Sequence, residues 1–145
     1  MLADVNPLVR LRGVEILEQD LLQKNAKADV ATKILSPFLK DNDERVQSNA
    51  AKVFYKYDRT AAVAVLKTMF LDADEDKQLA AAWVFGVVAD PEGVQAMVKG
   101  LNTYTQKVRM RCLLALQKID KENPEALPKE LRSQVRSILS LKGMA

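Results

Sequence analysis

An internal repeat is the feature that most constrains how this chain folds. The segment 74–85 aligns without a gap on the segment 43–54 at an offset of 31 residues, and the segment 105–116 follows at the same offset. A fourth segment, 6–17, fits the same frame at an offset of 37 residues. A period of this length is typical of stacked supersecondary units, in which each unit buries its apolar face against the next one.

The aligned columns have the character of a buried helix face. One column contains only small residues, which would let two helices approach closely: Gly13, Ala50, Ala81 and Cys112. Two further columns are apolar in every repeat: Ile16, Val53, Val84, Ala115 and Leu17, Phe54, Phe85, Leu116. Such a stripe at helical spacing predicts that these side chains are buried, with Phe54 and Phe85 lying between repeats.

A second helix follows the first one in each repeat. Asp58 is the predicted N-cap of a helix over residues 60–71, and Asp90 is the predicted N-cap of a helix over residues 91–101 that begins with a proline. After a polar insertion with two prolines, residues 129–141 form a predicted final helix. A longer connection and a more polar helix are typical of a terminal capping repeat.

These patterns predict an all-α fold, a right-handed α-solenoid of about four antiparallel helix pairs. The pairs form a single repeat domain over residues 1–145, with repeats at about 1–40, 41–71, 72–102 and 103–142. Four repeats are enough to bury a continuous core. Because the chain starts and stops close to repeat boundaries, a fragment of a longer solenoid is equally compatible with the pattern.

The first and fourth repeats share a local motif, Val9-Arg10 before Gly13 and Val108-Arg109 before Cys112. This motif resembles the HEAT-repeat family, in particular its short bacterial form, which also occurs in phycobilin-lyase-like proteins. The middle repeats depart from the family pattern, since they have glutamines at positions 47 and 78 where the family prefers arginine. The resemblance implies a helical solenoid with a weakened Asp–Arg ladder, and it implies little about function.

Residues suited to catalysis or to metal binding are scarce. The chain has no His and a single Cys, so it cannot form a Cys–His pair or a thiolate zinc site, and Cys112 is a predicted core residue. The acidic residues Asp72, Asp74, Glu75 and Asp76 could attract a hard cation, but their place at a helix start favours a capping role. We expect no enzymatic activity, no cofactor, and no catalytic, cofactor-binding or metal-binding residues.

The expected location is the cytoplasm. No segment approaches the ~20 apolar residues that a membrane span requires. The N-terminal residues do not resemble a signal peptide, and one Cys cannot form an intrachain disulfide.

Charge is distributed unevenly along the chain. Residues 1–98 have a formal net charge of −3, whereas residues 99–145 have +6. The basic part could bind a nucleic-acid backbone, as some HEAT-like DNA-repair proteins do. The candidate contacts are Lys99, Arg132 and Arg136 on second helices and Lys107, Arg109 and Arg111 on the last first helix, of which Arg109 is better explained by a structural role in the repeat. The preferred interpretation is a solvated polar face on an end cap, because the aromatic residues lie elsewhere in the sequence.

The preferred function is a non-catalytic protein–protein interaction scaffold that uses the second helices of the repeats. Lys67, Gln95 and Lys99 are the predicted contacts of a protein partner. We expect a flat surface rather than a deep pocket, because nothing large overhangs these columns. Nucleic-acid binding, and a lyase-like accessory role that depends on the repeat resemblance alone, are the alternatives; the oligomeric state is undetermined.

Trp83 is a further candidate contact. Its column also contains Glu15, Lys52 and Leu114, so the column faces solvent in at least two repeats. An aromatic residue at such a position is either a binding hot spot or a side chain that packs onto the neighbouring repeat, and packing is the preferred interpretation.

Overall fold

The computed structural model describes residues 4–145. These residues form eight α-helices and no strand, so the all-α prediction is confirmed for them. The helices are α1 (Pro7–Gln23), α2 (Ala28–Leu35), α3 (Glu44–Phe54), α4 (Arg59–Leu71), α5 (Glu75–Val88), α6 (Pro91–Gly100), α7 (Gln106–Glu122) and α8 (Lys129–Leu141). None of the helices in this part of the chain is long and apolar enough to cross a membrane.

Aspartates at the predicted N-caps begin the helices. The Asp90 carboxylate accepts hydrogen bonds from the backbone N–H groups of Glu92 and Gly93 at 2.8 and 3.2 Å, and Asp58 accepts one from Ala61 at 3.1 Å. Each bond satisfies an N–H that has no partner within the helix. Both caps are confirmed, although α6 ends one residue earlier than predicted; α8 has the predicted bounds.

The chain divides between residues 65 and 66 into two compact units. In the first unit, α1 and α2 pack against α3. Its core includes Val14, Leu35, Val46, Ala50 and Phe54. The predicted burial of Phe54 and of the small residue Ala50 is therefore confirmed.

Ile16 departs from the pattern. The equivalent residues of α3, α5 and α7 are buried: Val53, Val84 and Ala115. By contrast, 44% of the Ile16 surface is exposed. The prediction of a buried side chain is wrong at this position. Among the described residues, α1 packs against α3, and this contact does not bury Ile16.

An ion pair joins the start of α1 to the turn before α3. The Arg10 guanidinium donates from Nε and Nη2 to both carboxylate oxygens of Asp41, at 2.8 and 3.0 Å. In the middle repeats, Gln47 donates instead to the carbonyl of Leu39 and Gln78 donates to the carbonyl of Asp72. Each glutamine thus binds a backbone carbonyl that precedes its own helix.

The second unit has a tightly packed centre in which α5 lies against α7 and α6 contacts both helices. A Cβ placed on Gly86 of α5 would lie 2.9 Å from the Cβ of Ala115 in α7, so the two backbones approach closely there. Phe85 is fully buried, with Gly93 of α6 against its ring and Phe70 edge-on at 6.0 Å between ring centroids. The predicted burial of Phe85 is confirmed.

Phe85→Ala should lower the free energy of unfolding of the second unit by ~3–5 kcal/mol, because it removes a buried ring and leaves a cavity. Chemical unfolding followed by the fluorescence of Trp83, the single tryptophan, measures this loss. Leu114→Ala is the control, since Leu114 is exposed on α7 and its truncation should cost much less. An unchanged unfolding curve for Phe85→Ala would contradict the central position of this ring.

Candidate functional site

Three of the predicted partner contacts lie together at one cavity of the second unit. Lys67 from the end of α4, and Gln95 and Lys99 from α6, line a groove of about 340 Å³. The remaining lining residues are Phe70, Leu71, Glu92, Ala96, Gly100, Thr103 and Tyr104. We refer to this cavity as the α4–α6 groove.

Helical spacing explains why these side chains share one surface. On α6, residues 92, 95, 96 and 99 are separated by three or four positions and therefore lie on the same face. Residues 67, 70 and 71 have the same relation at the end of α4. Neighbouring helices thus contribute two aligned stripes, and the groove lies between them.

Tyr104 forms a wall of the α4–α6 groove. Its hydroxyl donates a hydrogen bond of 2.8 Å to the carbonyl oxygen of Phe70, and the two rings are tilted with centroids 4.6 Å apart. A Cβ on Gly100 would overlap the Tyr104 ring, so glycine is required for the ring to reach this position. Partial burial raises the pKa of the Tyr104 hydroxyl above its ordinary value, which keeps it a hydrogen-bond donor.

The expectation of a flat surface is therefore wrong. The flat surface was expected from the side chains in the repeat columns alone. Tyr104 is outside these columns, because it belongs to the turn between α6 and α7. The sequence feature that could have predicted this wall is Gly100 followed four residues later by Tyr104, since the glycine lets the ring fold back over the helix end.

Two lysines give the α4–α6 groove a basic character. Within residues 4–145, neither Lys67 nor Lys99 forms an ion pair with a carboxylate. Glu92 is the one acidic residue of the lining, and Gln95 adds an amide that can donate and accept. Ala96 and the Tyr104 ring, both half-buried, and the exposed Leu71 supply the apolar surface of the groove. The arrangement can bind a carboxylate beside an apolar side chain.

The other predicted contacts lie elsewhere. Arg132 of α8 donates from Nη2 to the carbonyl of Leu127 at 3.1 Å, and its Nε is buried without a hydrogen-bond partner in the described structure. Arg136 lies 3.8 Å from a carboxylate oxygen of Asp120. Arg132 thus contacts the segment before α8, and Arg136 lies near the end of α7. Trp83 lies on α5 with 41% of its surface exposed, so packing covers it only in part.

The acidic residues before α5 serve the helix start. Asp74 accepts the backbone N–H of Asp76 at 2.8 Å, which confirms its capping role. Asp72 accepts the N–H of Asp74, and this bond, with Lys77 nearby, holds the pKa of Asp72 below its ordinary value. Glu75 accepts a hydrogen bond of 2.7 Å from Thr105. Within the described residues, no group of three or more His, Cys, Asp or Glu is placed to hold a metal ion.

Neither a protein-family model, nor a curated protein, nor a solved structure matches this chain. The likeness to HEAT repeats therefore depends on the aligned columns alone and stays a prediction.

Tyr104→Phe should lower the free energy of unfolding by about 1 kcal/mol, because it deletes the hydrogen bond to the Phe70 carbonyl and keeps the ring. Urea unfolding followed by Trp83 fluorescence measures the change. Tyr57→Phe, in the first unit, is the matched control and should leave this transition unchanged. A Tyr104→Phe protein as stable as the parent would show that the hydroxyl does not hold the wall in place.

Cys112 should resist alkylation in the folded protein. The side chain is fully buried, and burial raises the pKa of the thiol to about 12, so almost no reactive thiolate is present at pH 8. Iodoacetamide labelling followed by mass spectrometry should show slow modification in buffer and complete modification in denaturant. Equally fast labelling in both conditions would contradict a structural role in the core.

Proposed function

We propose that the chain is a non-catalytic protein-interaction scaffold whose α4–α6 groove binds a short acidic peptide segment of a partner protein. The observation that carries the proposal is the convergence of Lys67, Gln95 and Lys99 on one concave surface with an apolar base. Convex or scattered positions for these residues would have left no site for a peptide to enter.

The chemistry of the groove supports an acidic segment with apolar neighbours. Lys67 and Lys99 can each bind a carboxylate by a charge-assisted hydrogen bond. The Leu71 side chain, which is 76% exposed, would gain from contact with an apolar residue of the peptide. Glu92 would repel a second acidic side chain at its end of the groove and so favour one orientation of the peptide.

The proposed architecture is a right-handed α-solenoid of four antiparallel helix pairs, similar to HEAT repeats. Its support is the equivalence of the aligned positions. Ala50, Ala81 and Cys112 share a column and are all fully buried, and Asp43 and Asp74 cap α3 and α5 by the same type of hydrogen bond. In such a stack, the second helix of each pair contributes side chains to one continuous surface.

Nucleic-acid binding has less support. Arg132 donates a hydrogen bond to the carbonyl of Leu127, whereas Arg136 lies 3.8 Å from Asp120 with 63% of its side chain exposed. The candidate phosphate contacts are divided among α6, α7 and α8, whereas a phosphate-binding surface usually has densely clustered cations. No observation favours a lyase-like accessory role over a scaffold.

The test uses a displayed library of random peptides selected on the wild-type protein, with affinities of the enriched peptides measured by fluorescence polarisation. The enriched sequences should pair Asp or Glu with an apolar residue. Lys67→Glu combined with Lys99→Glu should weaken binding at least about tenfold, because two attractions become repulsions.

The matched control is Lys129→Glu combined with Lys142→Glu, which makes the same change in net charge on exposed positions of α8 and its C-terminal end. This control should keep the affinity for the selected peptides. Equal affinity for the wild-type protein and the Lys67/Lys99 variant, with both proteins folded by circular dichroism, would reject the α4–α6 groove as the binding site.

A further inference from the structure

A second exposed surface of the same unit is formed by α5 and α7. On α5, Leu79, Trp83 and Val87 follow one another at intervals of four residues and therefore share a face. On α7, Met110 and Leu114 have the same spacing. We call this set of five residues the Trp83 face.

The two helices present this face side by side. Leu79 lines a shallow cavity of about 660 Å³ together with Met110 and Leu114, so the stripe of α5 borders the stripe of α7. Trp83, Val87, Met110 and Leu114 each keep between 39 and 48% of their surface exposed. A contiguous set of large apolar side chains at this exposure is typical of an interaction site rather than of ordinary surface.

Basic residues border the Trp83 face along α7. Lys107, Arg111, Lys118 and Lys121 lie on the outward stripe of α7 that also carries Met110 and Leu114. Among the described residues, Lys107 and Arg111 form no ion pair, and Lys118 pairs only with the exposed Glu122 at 3.9 Å. The α7 side of the apolar face is thus bordered by positive charge, whereas the exposed Asp76 lies at the N-terminal end of the α5 stripe.

We propose that the Trp83 face docks an acidic amphipathic helix of a partner protein. The shallow groove between two packed helices accepts the ridge of a third helix, whose apolar side chains recur at intervals of three and four residues. Acidic residues on the flank of that helix would meet Lys107, Arg111, Lys118 and Lys121. Trp83 lies within the apolar stripe and is the residue type most often found as a binding hot spot.

A second copy of this chain fits the Trp83 face less well. A symmetric dimer would place the same face against itself, so the four cations of one copy would lie near those of the other. Like charges brought together in this way oppose association. An anionic membrane also fits less well, because Leu79, Met110 and Leu114 line a concave cavity that a flat lipid surface does not fill.

This inference does not depend on the proposed peptide site. The Trp83 face belongs to α5 and α7, whereas the α4–α6 groove belongs to α4, α6 and the turn after α6, and the two lining sets share no residue. Either surface could bind its partner without the other. A scaffold with both would hold two different segments at once.

The test is a selection from a displayed library of helical peptides of about 18 residues, or about five turns. Their apolar stripe is fixed, and their flanking positions are randomised between Glu and Lys. We expect Glu to be enriched strongly over Lys at the flanks. Because Trp83 is the single tryptophan, binding of a selected peptide should also shift the protein's emission to shorter wavelength.

Variant proteins test whether the selected peptide binds at the Trp83 face. Trp83→Ala, and separately Lys107→Glu combined with Arg111→Glu, should each weaken binding of a labelled selected peptide at least about tenfold by fluorescence polarisation. The Lys129→Glu plus Lys142→Glu protein and the Lys67→Glu plus Lys99→Glu protein are matched controls that should keep the affinity. Loss of binding in the last control alone would assign the peptide to the α4–α6 groove and overturn this inference.

Further results would also overturn it. Equal enrichment of Glu and Lys would show that charge does not select the partner. Failure to enrich any helical peptide would show that the partner is not an amphipathic helix. A shift of Trp83 emission with phosphatidylserine vesicles, but not with the peptides, would assign the face to a membrane. A shift that depends only on protein concentration would assign it to self-association.

Discussion

The second unit depends on the close approach of α5 to α7. Small residues make this approach possible, since Gly86 faces Ala115 at a separation that leaves no room for another methyl group, and Ala81 and Cys112 are fully buried. Packing at this distance encloses Phe85 and sets the outward stripes of the two helices beside each other. Both candidate surfaces depend on this packing. The outward stripes of α5 and α7 form one surface, and α6, which contributes to the other, packs through Gly93 against the enclosed Phe85 ring.

Polar side chains are used differently in the acidic and basic parts of the chain. Carboxylates such as Asp43, Asp74 and Asp90 accept hydrogen bonds from backbone N–H groups at helix starts. Their negative charge also interacts favourably with the positive end of the helix dipole. Among the described residues, several cations of the second unit form no comparable contact, including Lys67, Lys99 and Lys107. The capping carboxylates therefore stabilise the fold, and these cations supply charge for the two proposed interactions.

The two proposed sites select partners by different physical means. The α4–α6 groove is small and has a polar rim with a tyrosine wall, so it suits a few side chains of an extended segment. The Trp83 face is a shallow surface with an apolar stripe on each of two neighbouring helices, so it suits a helix. Both use positive charge, which would favour acidic partners and speed their association.

The amino-acid sequence by itself determined the helices, their caps and the burial of Phe54 and Phe85. These features depend on residue spacing and on hydrogen bonds between near neighbours, both of which are visible in a linear pattern. Tertiary structure alone decided that Tyr104 reaches the Phe70 carbonyl, that Ile16 stays exposed and that Arg132 turns inward. Each of these outcomes depends on which other element lies beside the residue in space, and a repeat alignment contains no information about the turns and chain ends where these contacts differ.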